Sequence, residues 1–431
     1  MRERLRNLKT LVAPLIAFFI GTALTCCAYS MLSSTLAIRL AKNGAPSHQV
    51  GLVLAFYYLG SVLASMTAHG TINRVGHIRT FSTFIAMFSA LVLMHYFSQN
   101  LIIWAVLRLL QGYCMGGAAV CLESWLNARA NNKNRGTIIA FYMITTYLGA
   151  SIGQLMVNVP DGSGAALYII VSVLFSIALV PIGLTALPAP DISAFKNMKI
   201  RELYKISPVG VVGCLVSGFL VGAFYTMSPT YIAQRGYGTP IISLFMFFGI
   251  FGAMLAQLPI GRLSDKMDRR YVLIGIGVLV TIISLLIHPL ISYGAFYIAI
   301  GAMLLGSCIM VIYPICISHI NDLVEDTQRV RTSGLIILLQ GIGLIIGPIV
   351  VSFMIEHFGT FAFLASYSVA GLLFVAFVIG HVSIKPTINY VSVTPTDPIP
   401  LDPSPVFEEL ATDDTMVDRM KKSRARKSNK I

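Results

Sequence analysis

The chain has 431 residues, with 56% hydrophobic side chains against 11% charged ones and a net charge of +13. A mean hydropathy of +0.78 excludes an ordinary water-soluble domain. The basic excess does not make a nucleic-acid surface, because it is scattered over many short gaps and no single face collects it. Anionic lipid head groups are the sufficient partner for it.

Apolar runs of roughly twenty residues, each able to cross a hydrocarbon core of about 30 Å as a helix, follow one another from Leu11 to Ser383. In chain order they cover about 11–35, 48–69, 79–98, 100–126, 137–158, 165–187, 208–233, 241–260, 271–292, 294–320, 332–355 and 360–383. An even count returns both termini to one side, and Arg2, Arg4, Arg6 and Lys9 make that side the cytoplasm. About 27 of the 31 Lys and Arg fall on this side, about three on the other, and one, Arg108, inside a run. The expectation is an all-α integral membrane protein of about twelve transmembrane helices in the cell inner membrane. The first run is too long for the apolar core of a signal peptide and reads as an uncleaved span. All seven cysteines lie inside the runs without metal-ligand spacing, so they read as small packing residues and no cofactor is expected.

The gap at 188–207 splits the spans six and six, giving an N-terminal segment 1–10, a bundle over 11–187, a linker, a second bundle over 208–383 and a tail over 384–431. The halves repeat weakly. An offset of about 194 carries Gly112 to Gly306, Cys114 to Cys308, Gly149 to Gly343 and Gly153 to Gly347. Tyr29-Ser30-Met31 likewise resembles Tyr225-Thr226-Met227, and Asn73-Arg74 falls where Asp265-Lys266 recurs. Two such six-helix bundles, pseudo-symmetric about a central site, are a known transporter plan. The Pro-rich tail with its basic end cannot bury a core and is expected to be disordered, the basic end lying against anionic lipid.

Gly261-Arg262-Leu-Ser-Asp265-Lys266-Met-Asp-Arg269-Arg270, between spans eight and nine, resembles the loop signature of the major facilitator superfamily. Physically, Gly261 would let two helix ends approach, and Asp265 would cap a neighbouring helix N-terminus. The resemblance implies that this cluster latches the cytoplasmic side shut. The first-half copy keeps Arg74, Gly76 and Arg79 but has Asn73 in place of the acid, so its latch is expected to be weaker. Arg108-Leu-Leu-Gln111-Gly112 matches the superfamily's span-four element, which implies substrate or proton handling by Arg108; its repeat mate is Ala302. A charge at that depth is expected to face a wet cavity or a partner.

Glu123 lies fifteen residues further along the same helix, about 22 Å of rise, and falls near enough in azimuth to share a cavity with Arg108. It reads either as an interface partner of Arg129 or of the loop between spans two and three, or as a proton-coupling acid. It opens Glu-Ser-Trp-Leu-Asn127, which with Arg-Val-Gly-His-Ile-Arg79 resembles a little-characterised bacterial branch of the superfamily. Tyr29, Tyr225, Ser228 and Tyr313 join the candidate cavity, with Pro229 and Pro314 as helix breakers, and His319 as a candidate proton relay or a structural histidine. Gly153 is followed by Gln154 where drug exporters of the superfamily have a Gly-Pro pair, and span one lacks an acid; both departures weigh against export. With no phosphate-binding Gly-rich loop, energy is expected from an ion or solute gradient, or the protein is a facilitator. The expected function is secondary active transport of a small organic solute by alternating access, as proton-coupled import by a monomer. Efflux of hydrophobic compounds and a non-transporting membrane sensor or scaffold are the alternatives.

Overall fold

The structure is a computed structural model and describes residues 15–129, 135–183, 199–324 and 326–384. The expected N-terminal segment, most of the linker and the tail lie outside these residues. Twelve long helical segments follow in chain order among the described residues: α1 Ile16–Lys42, α2 Ser47–Val75, α3 His77–Met94, α4 Leu101–Arg129, α5 Arg135–Met156 and α6 Ala166–Gly183. After a short connector helix, Ile200–Ile206, come α7 Pro208–Gln234, α8 Thr239–Lys266, α9 Arg269–Leu290, α10 Ala295–Leu323, α11 Asp326–Phe358 and α12 Phe361–Ile384. Eleven have the length and apolar composition to cross a membrane; the twelfth, α5, has 22 residues and occupies the expected place.

Packing repeats between the halves. In the first, α2 packs on α4, α1 on α5 and α6, and α3 on α4 and α6; in the second, α8 packs on α10, α7 on α11 and α12, and α9 on α10 and α12. The halves meet through α2 with α11, α5 with α8 and α1 with α7. Small residues set the spacing, since apolar side chains gain nothing by leaving lipid and backbones must approach closely to gain dispersion. A Cβ added to Gly153 would lie 2.1 Å from the Cys27 carbonyl oxygen, and one on its mate Gly347 2.2 Å from that of Phe219. Gly112 and Gly306 repeat the same relation to Tyr57 and Gly249.

Two expectations about helix breaks come out differently. Pro229 leaves α7 unbroken from Pro208 to Gln234. It cannot donate to the carbonyl of Tyr225 four residues back, but the Ser33 hydroxyl donates to that oxygen from α1, 3.5 Å away. Pro314 does accompany a break: α10 stops at Ile309 and restarts at Ile312. Gly76, with φ 86°, makes the sharp corner between α2 and α3 that a side chain would disfavour.

Replacing Gly153 or Gly347 by Ala is expected to cost about 1–3 kcal/mol by overpacking, read as a lower melting temperature of the purified protein. Gly380, with nothing within 4 Å of an added Cβ, is the control; equal melting for all three variants would remove the close-contact account.

Candidate functional site

The face bearing the α2–α3 and α8–α9 corners, with Arg74, Arg79, Lys266 and Arg269, is the basic face. At the opposite, far face the halves are joined by polar contacts. His48 pairs with Glu356 through its backbone N–H and its ring. Gln234 donates to the Ser47 hydroxyl at 2.9 Å. Asn158 donates to Ser243 at 2.9 Å, and Ser243 donates to the Gln154 carbonyl at 2.6 Å. That carbonyl lies in the last turn of α5, where it also accepts from the Val157 backbone N–H at 3.4 Å. The Gln154 side chain meanwhile donates to Ser30 and accepts from Ser34, holding α1 to α5. Burial on α1 and α4 follows the same gradient: residues 30–38 of α1 and Arg108 of α4 are buried, whereas Ile16, Ile20 and Glu123 nearer the basic face are exposed; α7 is buried toward both ends. The halves therefore close over one another at the far face and leave a cleft toward the basic face.

Arg108 is fully buried. Its guanidinium lies 4.5 Å from the centre of the Tyr57 ring, an attraction of about 2 kcal/mol or more when desolvated. Tyr57 in turn stacks on Tyr29 at 4.7 Å. One nitrogen, Nη1, donates to Gln111 Oε1 at 3.3 Å, while Nε and Nη2, and the Gln111 amide nitrogen, are buried without hydrogen-bond partners. Among the described residues no carboxylate pairs with Arg108. Burial pushes the His95 imidazole down to about 3, and the nearby Arg108 charge adds to the effect. A neutral His95, edge-on to Trp104 at 5.1 Å, fits a setting that already holds one cation.

Arg108 and Glu123 do not share a surface, contrary to the expectation. Arg108 is sealed behind Tyr57, while Glu123 is exposed. Beside Glu123 lies a nearly apolar cavity of about 150 Å³ walled by Thr25, Cys26, Tyr29, Met115, Leu122 and Tyr142, among others. Of the central tyrosines, Tyr29, Tyr225 and Tyr313 are half-buried. The Tyr225 hydroxyl reaches the Met310 sulfur at 4.0 Å, at the break in α10. Discontinuous helices at mid-membrane depth mark solute sites in other transporters. Ser228 is buried without a partner for its hydroxyl.

At the basic face Arg269 donates to Asp322 at 2.6 Å, to Ser264 at 2.6 Å and to Asp265 at 3.1 Å, joining α8, α9 and α10. Asp265 is thus an ion-pair partner, and the expected capping role falls to Asp268, which accepts from the Arg270 backbone at 2.9 Å as the residue immediately before α9. Burial tends to raise the Asp268 carboxyl, but its bonds from Arg270 outweigh that and hold it below the usual range. Gly261 has nothing within 4 Å of an added Cβ, so no helix approaches it here. Asn73, Arg74, Arg262 and Lys266 are exposed, and His319 is buried with Nδ1 unpartnered. His77 and Trp125, from the two branch-like motifs, stack at 6.1 Å, and Trp125 meets Phe18 edge-on at 4.3 Å. Asn127 and Arg129 have side chains outside the described ones. The sequence reading missed Tyr57, His95 and the His48–Glu356 pair.

The depressed His95 titration predicts an acid-side loss of stability. The unfolded imidazole binds a proton below about 6.5 while the folded one stays neutral until about 3, so stability falls with pH across that window. His95→Gln is expected to flatten this limb of melting temperature against pH; an unchanged slope between pH 7.5 and 5 would refute it.

A model of the Major Facilitator Superfamily matches residues 18–256 and 242–406. The uncharacterized MFS-type transporter YcaD of Escherichia fergusonii is 26% identical over 368 residues, covering 84% of this chain and 94% of its own length. YcaD of Salmonella typhimurium is 26% identical over 378 residues, covering 85% and 96%. Among solved structures, a mutant of the nucleoside transporter NupG superposes with a TM-score of 0.72 at 13% identity, over 85% of this chain and 99% of its own. A bacterial homolog of the human lysosomal transporter Spinster, inward-facing and unoccupied, gives 0.62 at 13% identity, over 86% and 94%. With its all-helical, multi-pass membrane architecture, the chain belongs to the Major Facilitator Superfamily of transporters.

Proposed function

We propose that the chain is a proton-coupled importer of a small organic solute, with the basic face in the cytoplasm and the bundles rocking about the central tyrosines. The observation that carries this reading is the separation of its two deep charges. Arg108 is sealed in the far half while Glu123 is exposed in the cleft at the basic face. An acid in a cleft that opens and closes is alternately hydrated and enclosed, and enclosure favours its protonated form. Arg108 and Gln111 would bind solute, with Tyr29, Tyr225 and Tyr313 as walls. The α8–α9 cluster around Asp265 and Arg269 and the Asn73–Arg74 corner would latch the basic face in the opposite state, with the buried His319 beside them as a packing residue of the same corner.

Export of hydrophobic compounds is the second reading, favoured by the nearly apolar cavity beside Glu123. Gln154, which holds α1 to α5 where exporters have a proline, supports import.

Vesicles with a trapped pH dye decide between them. Small carboxylates, amines and neutral aromatics are added outside, under an imposed inward proton gradient. Import predicts lumen acidification that follows one solute class and is lost in Glu123→Gln, with solute exchange retained. Solute-driven alkalinisation would establish export instead, and coupling unchanged in Glu123→Gln would remove the acid from the mechanism. Closure of the far face predicts that Ser47→Cys and Gln234→Cys cross-link through a short reagent and that the link stops flux; continued flux in linked protein would sink alternating access at this face.

A further inference from the structure

We infer that the solute is a small organic monocarboxylate, bound by the free edge of Arg108. The inference rests on the transport reading of that residue and names its substrate class. Arg108 and Gln111 keep three buried donors without partners, Arg108 Nε and Nη2 and the Gln111 amide nitrogen, and the Tyr58 hydroxyl and His95 Nε2 nearby are also buried and unpartnered. The three donors of the Arg108–Gln111 pair call for a ligand that accepts. Nε–H and Nη2–H point the same way from one edge of the guanidinium, the fork that matches the two oxygens of a carboxylate. The other features leave that edge alone. Nη1 is used by Gln111 Oε1, and Tyr57 covers a face of the plane.

Charge and shape narrow the class. One guanidinium with no carboxylate partner among the described residues is matched by one negative charge, and His95 beside it stays neutral because burial and Arg108 both oppose its protonation. The aromatic stack of Tyr29 on Tyr57 and the Tyr225 ring suit a planar or apolar body behind the carboxylate. Glu123 gives the coupling its sign: ionised, it repels an anionic solute from the cleft, and protonated, it lets the anion pass. One proton and one monocarboxylate then cross together without net charge. Because Arg108 is fully buried while the cleft is at the basic face, the fork meets its ligand when the far half opens.

The test is thermal stabilisation of the full-length protein, since a ligand of the folded state raises its melting temperature by mass action. Benzoate and hexanoate are compared with benzamide, benzylammonium, inorganic phosphate and chloride at equal ionic strength. A carboxylate is expected to raise the melting temperature of the wild type by a few degrees, with the others inert. Arg108→Gln should weaken the response at least tenfold. Gln111→Glu provides an arm that does not depend on the folding of that variant: it places a carboxylate one helical turn from the guanidinium, so it should raise the basal melting temperature and abolish the carboxylate response. Stabilisation by benzamide, benzylammonium, phosphate or chloride in place of the carboxylates, no stabilisation by either carboxylate, or an undiminished response in Gln111→Glu would each overturn the inference. The transport reading fails separately: carboxylate stabilisation that needs Arg108, without any proton flux in vesicles, would keep the binding site and remove the coupling.

Discussion

Holding a cation deep in an apolar bundle is the condition to which the centre of this protein is adapted. Removing a guanidinium from water costs several kcal/mol unless other groups replace its hydration. The protein answers with an aromatic face from Tyr57 and one amide oxygen from Gln111, and among the described residues it supplies no carboxylate. This is partial compensation. Two strong donors remain unspent, at a depth where an unspent donor is expensive. The repeat mate of Arg108 is Ala302, so the demand is confined to one half, and the second bundle contributes aromatic walls and a helix break instead.

The prolines show how the halves are joined without being fused. Pro229 frees the Tyr225 carbonyl, and a hydroxyl from the other half, Ser33, is its donor. The Gln154 carbonyl near the end of α5 accepts from Ser243 across the same boundary. In both places a helix oxygen takes a donor from the opposite bundle, so parting the far face hands those bonds to water. A hydrogen bond exchanged for one to water changes stability by only about 0.5–1.5 kcal/mol. Few such contacts are needed to hold the closure, and a solute with modest preference for one state can shift the balance. The glycine contacts are of another kind. They lie inside each bundle, depend on backbone proximity, and preserve α1 against α5 and α7 against α11 as rigid pairs.

The sequence made the spans legible because apolar length and charge placement both respond to the bilayer, and it made the bundle contacts legible because Gly149, Gly153, Gly343 and Gly347 recur at one offset. It also placed Arg108 and Gln111 one turn apart. It was silent on Tyr57, one of 18 tyrosines, because which tyrosine covers a cation depends on how α2 lies against α4. It was equally silent on His48 and Glu356, which meet across 308 positions. Pro229 and Pro314 look alike as letters; their different outcomes depend on whether a neighbouring helix brings a donor, which only the assembled bundles decide. The capping role expected of Asp265 belongs to Asp268, three residues on, because the helix begins at Arg269.

Arg108 and Glu123 ride on one helix about 22 Å apart along its axis, too far for strong direct attraction, and in opposite environments. That arrangement has a consequence for the proposed cycle. With the cleft at the basic face, the acid is hydrated and the cation is sealed; opening the far half instead reverses the two. Each charge therefore meets water when its own side is accessible, and the enclosed one has to be neutralised, by a proton in the case of Glu123 and by a bound anion in the case of Arg108. In the occluded state between the two, both charges are enclosed, and a proton on Glu123 together with an anionic solute on Arg108 neutralises both, whereas either alone leaves one buried charge uncompensated. Coupling then follows from the cost of burying charge, without a contact between the two sites.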